Sequence, residues 1–270
     1  MVLKHRKSLS RLAHLFDKSP QSREDSSHLV WILLSSANRG AQYRDIYDSR
    51  VNDIATALSD LAQVASVIRL NNTSPACSFN GSTAASPRAS PVSLLVKIDG
   101  KVSSLRSTLT IINDILDHGT IINQQGTTKI LFYGLSFYKL SHAYSPRKSR
   151  KQKAKCMVSV AIEPSLGQEE DIDNWYRKEH LAMLASNSLY LRCNRYERIA
   201  TDSVGASSEG FGAKFVALHE YTSVEDLFDH SLKKGPIIPE TEWTRHILDR
   251  AKSVERTIWT ICEPATDANG

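Results

Sequence analysis

Two adjacent stretches decide the fold of this chain: residues 155–163 (KCMVSVAIE) and residues 173–180 (DNWYRKEH). The first has the apolar content of a buried strand, and the second places two aromatic rings, a carboxylate and an imidazole within two helical turns. At helical offsets of three and four, one face collects Tyr176, Glu179, His180 and Met183. This face is expected to form either the wall of a reactive site or a seam of the hydrophobic core.

The elements after this helix complete a recognisable order. The helix itself is expected at 169–186, and strands are predicted at 189–199, 215–221 and 255–262. An irregular helical region separates the last two strands and ends near Ala251. The second half therefore reads β-α-β-β-α-β.

The first half shows the same order. Apolar runs and helical spacing predict, in sequence, a strand at 28–36, a helix at 41–61, a strand at 64–70, a strand at 92–98, a helix at 102–116 and a strand at 129–140. Residues 71–91 are rich in Ser, Thr, Asn and Pro, and are expected to form a mobile loop. The predicted class is α+β: two ferredoxin-like β-α-β-β-α-β units fused as a pseudo-dimeric α/β barrel, with antiparallel sheets packed face to face.

Charge is concentrated at one place. The net charge is +5, and without six clustered basic residues it would be −1; these are Arg147, Lys148, Arg150, Lys151, Lys153 and Lys155. They are expected in a solvated linker at 143–155, with a nuclear-import signal or an anionic contact patch as alternatives. No nucleic-acid partner is predicted. The remaining boundaries are a basic tail at 1–27, halves at 28–142 and 156–264, and a tail at 265–270.

The cysteines and the hydropathy pattern indicate which cellular compartment suits the chain. The four cysteines are far apart and form no C-x-x-C pair, which favours a reducing, cytoplasmic environment over a disulfide framework or a zinc ribbon. No apolar run approaches the roughly 18 residues that a membrane helix needs. A weak mitochondrial presequence in the basic tail is the alternative to a frayed amphipathic segment.

The two halves differ in chemistry. Tyr47 of the first half corresponds to Tyr176 of the second, but Ser49 and Arg50 stand where Glu179 and His180 would fall. The second half is therefore expected to hold the reactive groups, and the first to act as scaffold.

The motifs of the second half resemble a known family. The pattern W-Y-x-x-E-H at 175–180, with L-Y-L-x-x-x-R-Y-E at 189–197 and A-L-H-E-Y at 217–221, is similar to EthD-like proteins of the dimeric α/β-barrel superfamily. The tandem arrangement resembles members common in filamentous fungi. The resemblance implies an apolar pocket and chemistry on aromatic, often polyketide-derived, metabolites of secondary metabolism without a bound organic cofactor. Relatives often carry a proline two residues after the histidine, where this chain has Ala182.

Strand alternation predicts which side chains line that pocket. His219 is expected to point into the barrel with Arg192 and Tyr196, while Arg195 has the opposite parity unless a bulge intervenes. The candidate catalytic residues are His180, Glu179 and His219. The candidate substrate-binding residues are Tyr176, Trp175, Met183, Arg192, Tyr196 and Arg195. A His180→Ala substitution is expected to abolish turnover with almost no change in melting temperature.

The functional hypotheses remain open between three classes. The leading one is a lyase-like, cofactor-independent dehydratase or decarboxylase in which an imidazole removes a proton beside a carbonyl. An EthD-type oxidoreductase in the same pocket and a non-catalytic barrel that binds a small molecule or dimerises are the alternatives. No metal is predicted, although two histidines and Glu179 as an iron triad, or a haem held by one histidine, stay as lesser alternatives. Dinucleotide, nucleotide and serine-hydrolase motifs are absent from the sequence.

Overall fold

The computed structural model describes most of both halves. The described residues are 27–35, 44–73, 77–78, 92–99, 102–119, 132–146, 152–204, 212–225, 227 and 241–262. The N-terminal tail up to 26, four of the six clustered basic residues and the C-terminal tail lie outside them, as does most of the loop predicted at 71–91.

The described elements follow the predicted order. The strands are β1 (Ser27–Ser35), β2 (Val64–Asn72), β3 (Cys77–Ser78), β4 (Val92–Asp99), β5 (Phe132–Tyr144), β6 (Cys156–Glu163), β7 (Tyr190–Val204), β8 (Phe215–Tyr221) and β9 (Ser253–Cys262). The helices are α1 (Arg44–Ser59), α2 (Val102–Gly119), α3 (Glu169–Trp175), a π-helical turn π1 (Tyr176–His180), α4 (Leu181–Ala185) and α5 (Glu242–Arg250). None of these helices combines the length and apolar character that a membrane crossing requires.

Two predicted loops contain ordered pairing. Within the loop expected at 71–91, β2 continues to Asn72, and Cys77 of β3 pairs with Arg256 of β9. At the end of the expected linker, the Lys155 amide donates to the Tyr221 carbonyl, and the Lys155 carbonyl accepts from the Ile261 amide. Both corrections have one cause, because backbone pairing in a sheet does not require apolar side chains.

The chain forms two compact units. The described residues of 27–69, 92–139 and 198–204 belong to unit 1, and those of 70–78, 140–197 and 212–262 belong to unit 2. The domain limits predicted from the sequence stay a prediction.

Unit 1 is a helix layer on an antiparallel sheet. β1 lies between β4 and β5, with Val30 opposite both Val96 and Phe137, and β2 borders β4. The strand order is thus β2-β4-β1-β5. The face bearing Val30 packs on apolar residues of α1 and α2, including Val51 and Ile112, which are fully buried. This burial orients both helices because each carries its apolar residues on one stripe.

Unit 2 repeats that arrangement. β6 lies between β8 and β9, with Val158 opposite both His219 and Ile258, and β7 borders β8. The order β7-β8-β6-β9 matches that of unit 1 strand for strand. One face of this sheet packs on the helical segment from α3 to α4, where Trp175 and Tyr176 are almost fully buried.

Two local irregularities set the site. In π1, the amide of Leu181 donates to the carbonyl of Tyr176, an i to i+5 bond that widens the helix by one residue. In β7, the pairing with β8 shifts between Tyr190 and Arg192, so Leu191 is an extra residue in the manner of a β-bulge. Each irregularity changes which side chains face one another.

Candidate active site in unit 2

One set of residues on β7 and β8 lies on the helix side of the sheet. Directly opposite residues of an antiparallel pair share a face, and Cys193 lies opposite His219 while Arg195 lies opposite Ala217. Ala217 and Cys193 belong to the core packed on Trp175 and Tyr176. His219 and Arg195 therefore point towards the helix layer. The expectation that His219 faces a barrel interior is wrong, because the face of β8 that bears Ala217 and His219 packs on the helices in place of the all-aliphatic face.

An aromatic cluster surrounds the two imidazoles. The His180 ring lies 4.1 Å from the Trp175 ring and 4.9 Å from the Tyr176 ring, centroid to centroid, and 5.8 Å from the ring of His219. Tyr190 completes the group, with its hydroxyl 3.4 Å from Nδ1 of His219. We call these five residues, Trp175, Tyr176, His180, Tyr190 and His219, the ring cluster. Its members are between 1% and 3% exposed, so water has little access to them.

Burial keeps both imidazoles neutral. It lowers the pKa of His180 from 6.5 to about 3, and the positive charge of Arg195 acts in the same direction. Burial, followed by the coupling to the neighbouring imidazole of His180 and the positive charges of Arg256 and Arg195, holds the pKa of His219 well below its ordinary value. A buried cation is costly without a partner, so the neutral forms are the stable ones. Each ring therefore keeps one nitrogen lone pair that can take up a proton.

Burial also keeps the phenols of the ring cluster protonated. It is the main cause that raises the pKa of Tyr176 and of Tyr190 above the ordinary tyrosine value. The neighbouring thiol behaves alike, since burial raises the pKa of Cys193 to about 12. Neutral hydroxyls can donate hydrogen bonds to an oxyanion, which an ionised phenolate cannot do.

Three polar atoms of the ring cluster have no hydrogen-bond partner. They are Oη of Tyr176, Nδ1 of His180 and Nε2 of His219. A buried polar atom without a partner costs about 1–3 kcal/mol, and native proteins contain few of them. Three such atoms in contacting rings are therefore a feature that stability alone does not explain.

Arg195 is the charged neighbour of the ring cluster. Its guanidinium lies 4.1 Å from the centre of the Tyr176 ring and donates to Oδ1 of Asp173 at 2.8 Å. Burial raises the pKa of Asp173, but the hydrogen bond and charge of Arg195, together with Arg177, outweigh it, and the pKa is lowered overall. Arg195 is only 4% exposed, so this pairing compensates a buried charge.

The other predicted site residues lie elsewhere. Arg192 pairs with Glu220 at 2.5 Å, and Tyr196 lies opposite Val216, both on the sheet face away from the ring cluster. Met183 is partly exposed, and its carbonyl accepts from the Ser186 hydroxyl. Glu179 accepts from the Thr241 hydroxyl at 2.6 Å, and no hydrogen bond joins it to His180 among the described residues. The predicted Glu179–His180 pair is therefore separated.

Glu179 instead belongs to a shallow surface pocket. Its lining residues are Asp171, Glu179, Thr241, Glu242, Trp243 and His246. The π-helical turn accounts for the separation, because it directs Tyr176 and His180 into the core while Glu179 stays half-buried at the surface.

Sequence reasoning missed two contributors. Tyr190 was expected on the opposite face from Cys193, and Asp173 was given no role. The signal for Asp173 was its spacing of four from Arg177, with which it also forms a 2.7 Å ion pair. The signal for Tyr190 depended on the bulge, which the sequence does not display.

Neither a metal ion held by three side chains nor a haem held by His180 fits the described residues. No three His, Cys, Asp or Glu side chains among them are placed to hold a metal ion. A porphyrin needs free space beside a histidine, whereas the rings of Trp175 and Tyr176 occupy that space around His180 at 4.1 and 4.9 Å.

Comparison with solved structures shows which known proteins share the fold of this chain. A structure described as a "putative monooxygenase" from Fusobacterium nucleatum subsp. nucleatum matches at 9% identity with a TM-score of 0.51, covering 90% of this chain and 94% of that one. An anthrone oxidase-like protein matches at 8% identity and a TM-score of 0.52, covering 90% and 95%. These are dimeric α/β-barrel proteins. The chain shares their fold.

The remaining comparisons give no further information about the family or the site. A variant chlorite dismutase from Candidatus Nitrospira defluvii matches at 11% identity, covering 96% of each chain, but its TM-score of 0.45 gives no basis for comparing sites. No family model matches the chain, and no curated protein matches it.

Proposed function

We propose that the chain is a small-molecule enzyme that works by proton transfer in the ring cluster, with His180 as the base and a tyrosine hydroxyl as the hydrogen-bond donor. The observation that carries the proposal is the set of three unpaired buried atoms: Oη of Tyr176, Nδ1 of His180 and Nε2 of His219. Sites arranged for chemistry keep such atoms free for substrate, at a cost to stability. A small-molecule enzyme also agrees with the named activities of proteins that have this fold.

The ring cluster has the groups that the reaction needs. A neutral imidazole accepts a proton from carbon beside a substrate carbonyl, and the hydroxyl of Tyr176 or Tyr190 donates to the oxygen that becomes negative. The protonated imidazole then returns its proton to a departing hydroxide, which leaves as water. For a β-keto acid, the imidazole first takes the proton of the carboxylic acid, the carboxylate then loses CO₂ to leave an enolate, and the imidazolium returns the proton to carbon. Positive charge on Arg195 also favours the enolate.

Access to these rings requires local movement. The ring cluster is at most 3% exposed, so a planar substrate reaches His180 only when the helical segment above it opens. Exclusion of water after closure then strengthens the electrostatic contacts to the enolate. A planar phenolic or polyketide-type metabolite is the proposed substrate, since the rings of Trp175, Tyr176 and Tyr190 surround the two imidazoles.

The finer family assignment belongs to this proposal. The W-Y-x-x-E-H pattern supports a tandem EthD-like protein of fungal type, acting in secondary metabolism in the cytoplasm. The matching strand orders of the two units support two ferredoxin-like halves fused as a pseudo-dimeric α/β barrel, with further self-association as an option. The second candidate function is an oxidoreductase, because the two solved structures of the same fold are named for a monooxygenase and an anthrone oxidase.

The test separates catalysis from packing. Purified protein is incubated with a panel of phenolic and β-keto compounds, and products are followed by mass spectrometry for loss of water, loss of CO₂ or gain of oxygen. His180→Phe keeps ring volume without the lone pair, and Tyr176→Phe removes only the unpaired hydroxyl. Both variants should lose turnover, while Tyr176→Phe should unfold at equal or higher temperature, because a buried unpaired group is removed.

The matched control is His246→Gln, at a half-exposed histidine outside the ring cluster. It should retain full turnover. Gain of oxygen in place of loss of water or CO₂ would select the oxidoreductase. Full turnover in His180→Phe would overturn the proposed role, and a stabilised Tyr176→Phe variant with no product from any compound would favour a non-catalytic barrel.

A further inference from the structure

A chain of hydrogen bonds connects the carboxylate of Glu179 to the indole of Trp175, whose ring packs against His180. The indole Nε1–H of Trp175 donates to Oγ1 of Thr244 at 3.2 Å. Oγ1 of Thr244 lies 2.9 Å from Oγ1 of Thr241, which is bonded to Oε1 of Glu179 at 2.6 Å. All four residues belong to unit 2, and Trp175 and Thr244 are 2% and 3% exposed.

The direction of this chain follows from the number of available protons. Thr241 has one hydroxyl proton and two possible acceptors, and the Glu179 carboxylate is both nearer and the stronger acceptor. The Thr241 oxygen then accepts from the amide of Thr244 at 3.0 Å and from the Thr244 hydroxyl. Every bond therefore donates towards Glu179: Trp175 to Thr244, Thr244 to Thr241, and Thr241 to the carboxylate.

The buried end of the chain is held against the proposed base. The Trp175 ring lies 4.1 Å from the His180 ring at an interplanar angle of 35°, so an indole face covers the imidazole. An aromatic face attracts a cation within about 6 Å, which favours the protonated imidazole that forms during proton uptake. Bonds that all point to a carboxylate polarise one another and make the indole a better partner for that cation.

We propose that Glu179, Thr241 and Thr244 are positioning residues that act on His180 through Trp175. The carboxylate in the surface pocket anchors the hydroxyl pair at the start of α5, the hydroxyl pair anchors the indole N–H, and the indole face supports His180 when it gains a proton. The inference rests on the proposed function in taking His180 as the base. It replaces the direct Glu179–His180 pairing that the sequence suggested.

The experiment reads His180 directly and needs no substrate. Proton and nitrogen NMR spectra record the indole N–H of Trp175 and the ring nitrogens of His180, assigned with Trp175→Phe and His180→Phe. Thr244→Val keeps the shape and removes the hydroxyl, Thr244→Ser restores it, and Glu179→Gln removes the charge at the far end. The matched control is Thr257→Val. This buried threonine and its cross-strand partner Ser159 both lie on the sheet face away from the ring cluster.

Thr244→Val is expected to shift both the Trp175 and the His180 signals, and Thr244→Ser to return both towards the wild-type positions. Glu179→Gln should shift them in the same direction by a smaller amount, and Thr257→Val should leave them in place. Unchanged His180 signals in Glu179→Gln and in Thr244→Val would overturn the proposal. If Thr244→Val does not fold, which circular dichroism shows, Glu179→Gln decides alone.

If a compound is turned over, steady-state kinetics provide a second measurement. Glu179→Gln should then lower kcat with little change in KM, because the indole face matters most when His180 carries a proton. Absence of turnover on every compound counts against the proposed function, while the NMR shifts still decide whether the chain of bonds reaches His180.

Discussion

At the scale of single residues, His180 is defined by burial. The sequence alone favoured a histidine that can be replaced by alanine without loss of stability. The side chain is 2% exposed and lies between aromatic rings, so alanine would leave a cavity, and large-to-small changes in cores cost about 2–5 kcal/mol. We therefore expect His180→Ala to lower the melting temperature instead of leaving it unchanged, so His180→Phe is the more informative substitution.

The lowered histidine pKa values predict acid sensitivity. His180 and His219 have lower pKa values when folded than the 6.5 of the free side chain, so the unfolded chain binds more protons below pH 6.5. Stability from the neutral imidazoles is therefore complete above pH 6.5 and falls as pH decreases towards the folded value, which is about 3 for His180. Each such histidine contributes a slope of about 1.4 kcal/mol per pH unit.

Urea unfolding at several pH values between 6.5 and roughly 5 measures this slope, since most carboxylates stay ionised in that window. The free energy of unfolding should decline with falling pH. His180→Phe should reduce the slope of this decline by about 1.4 kcal/mol per pH unit, which corresponds to one proton. Equal slopes in the wild type and His180→Phe would show that His180 already titrates normally in the folded protein.

At the scale of elements, the π-helical turn decides the site. A regular helix would keep Tyr176, Glu179, His180 and Met183 on one face. The i to i+5 bond from Leu181 to Tyr176 directs Tyr176 and His180 into the core and leaves Glu179 and Met183 partly exposed. Such turns arise from one extra residue in a helix, and they are frequent at functional sites.

Deleting Lys178, an exposed residue of this turn, should convert it to a regular helix. Leu181 and Leu184 would then keep their places on the core, because the deletion removes the one extra residue that the wider turn accommodates. The free energy of unfolding should therefore change by only about 1 kcal/mol. Urea unfolding measures the change, with Lys178→Ala as a control expected within about 0.5 kcal/mol of wild type.

A deletion variant that is destabilised by about 3 kcal/mol or more, as expected when two leucines leave the core, would contradict this account of π1. It would mean that the residues after the turn rotate when one residue is removed.

At the scale of the whole molecule, one strand arrangement is used twice with different chemistry. The hydrophobic core of unit 1 consists of aliphatic residues and Phe137, with the buried ring of His28 stacked on Phe137 at 5.4 Å, and α1 carries Arg50 in an exposed pair with Asp53. The core of unit 2 instead encloses the ring cluster. A scaffold role for the first half therefore stays the prediction that these side chains favour.

The charge of the molecule predicts one further result. Replacing the six clustered basic residues of 147–155 by glutamine should leave the free energy of unfolding within about 0.5 kcal/mol, because the two that the structure describes, Lys153 and Lys155, are exposed. The variant should also lose retention on a phosphocellulose column, since without them the net charge becomes −1. A marked loss of stability would show that the segment is part of the fold.

The sequence by itself determined the element order, the strand at 215–221 to the residue, and the dense helix as the place where the chemistry concentrates. Those features follow from local periodicity, which a single stretch of chain displays. It also placed Arg195 on the same face of its strand as Cys193, and this is the face that carries the site.

The tertiary structure decided which groups meet. The extra residue Leu191 and the π-helical turn each change facing by one position, and neither leaves a mark in composition or spacing. The bulge brings Tyr190 to the face that carries Cys193, Arg195 and His219, and the π-helical turn sends Glu179 to the surface pocket. Such irregularities depend on the packing of a strand and a helix that are distant in sequence, so only the folded chain defines them.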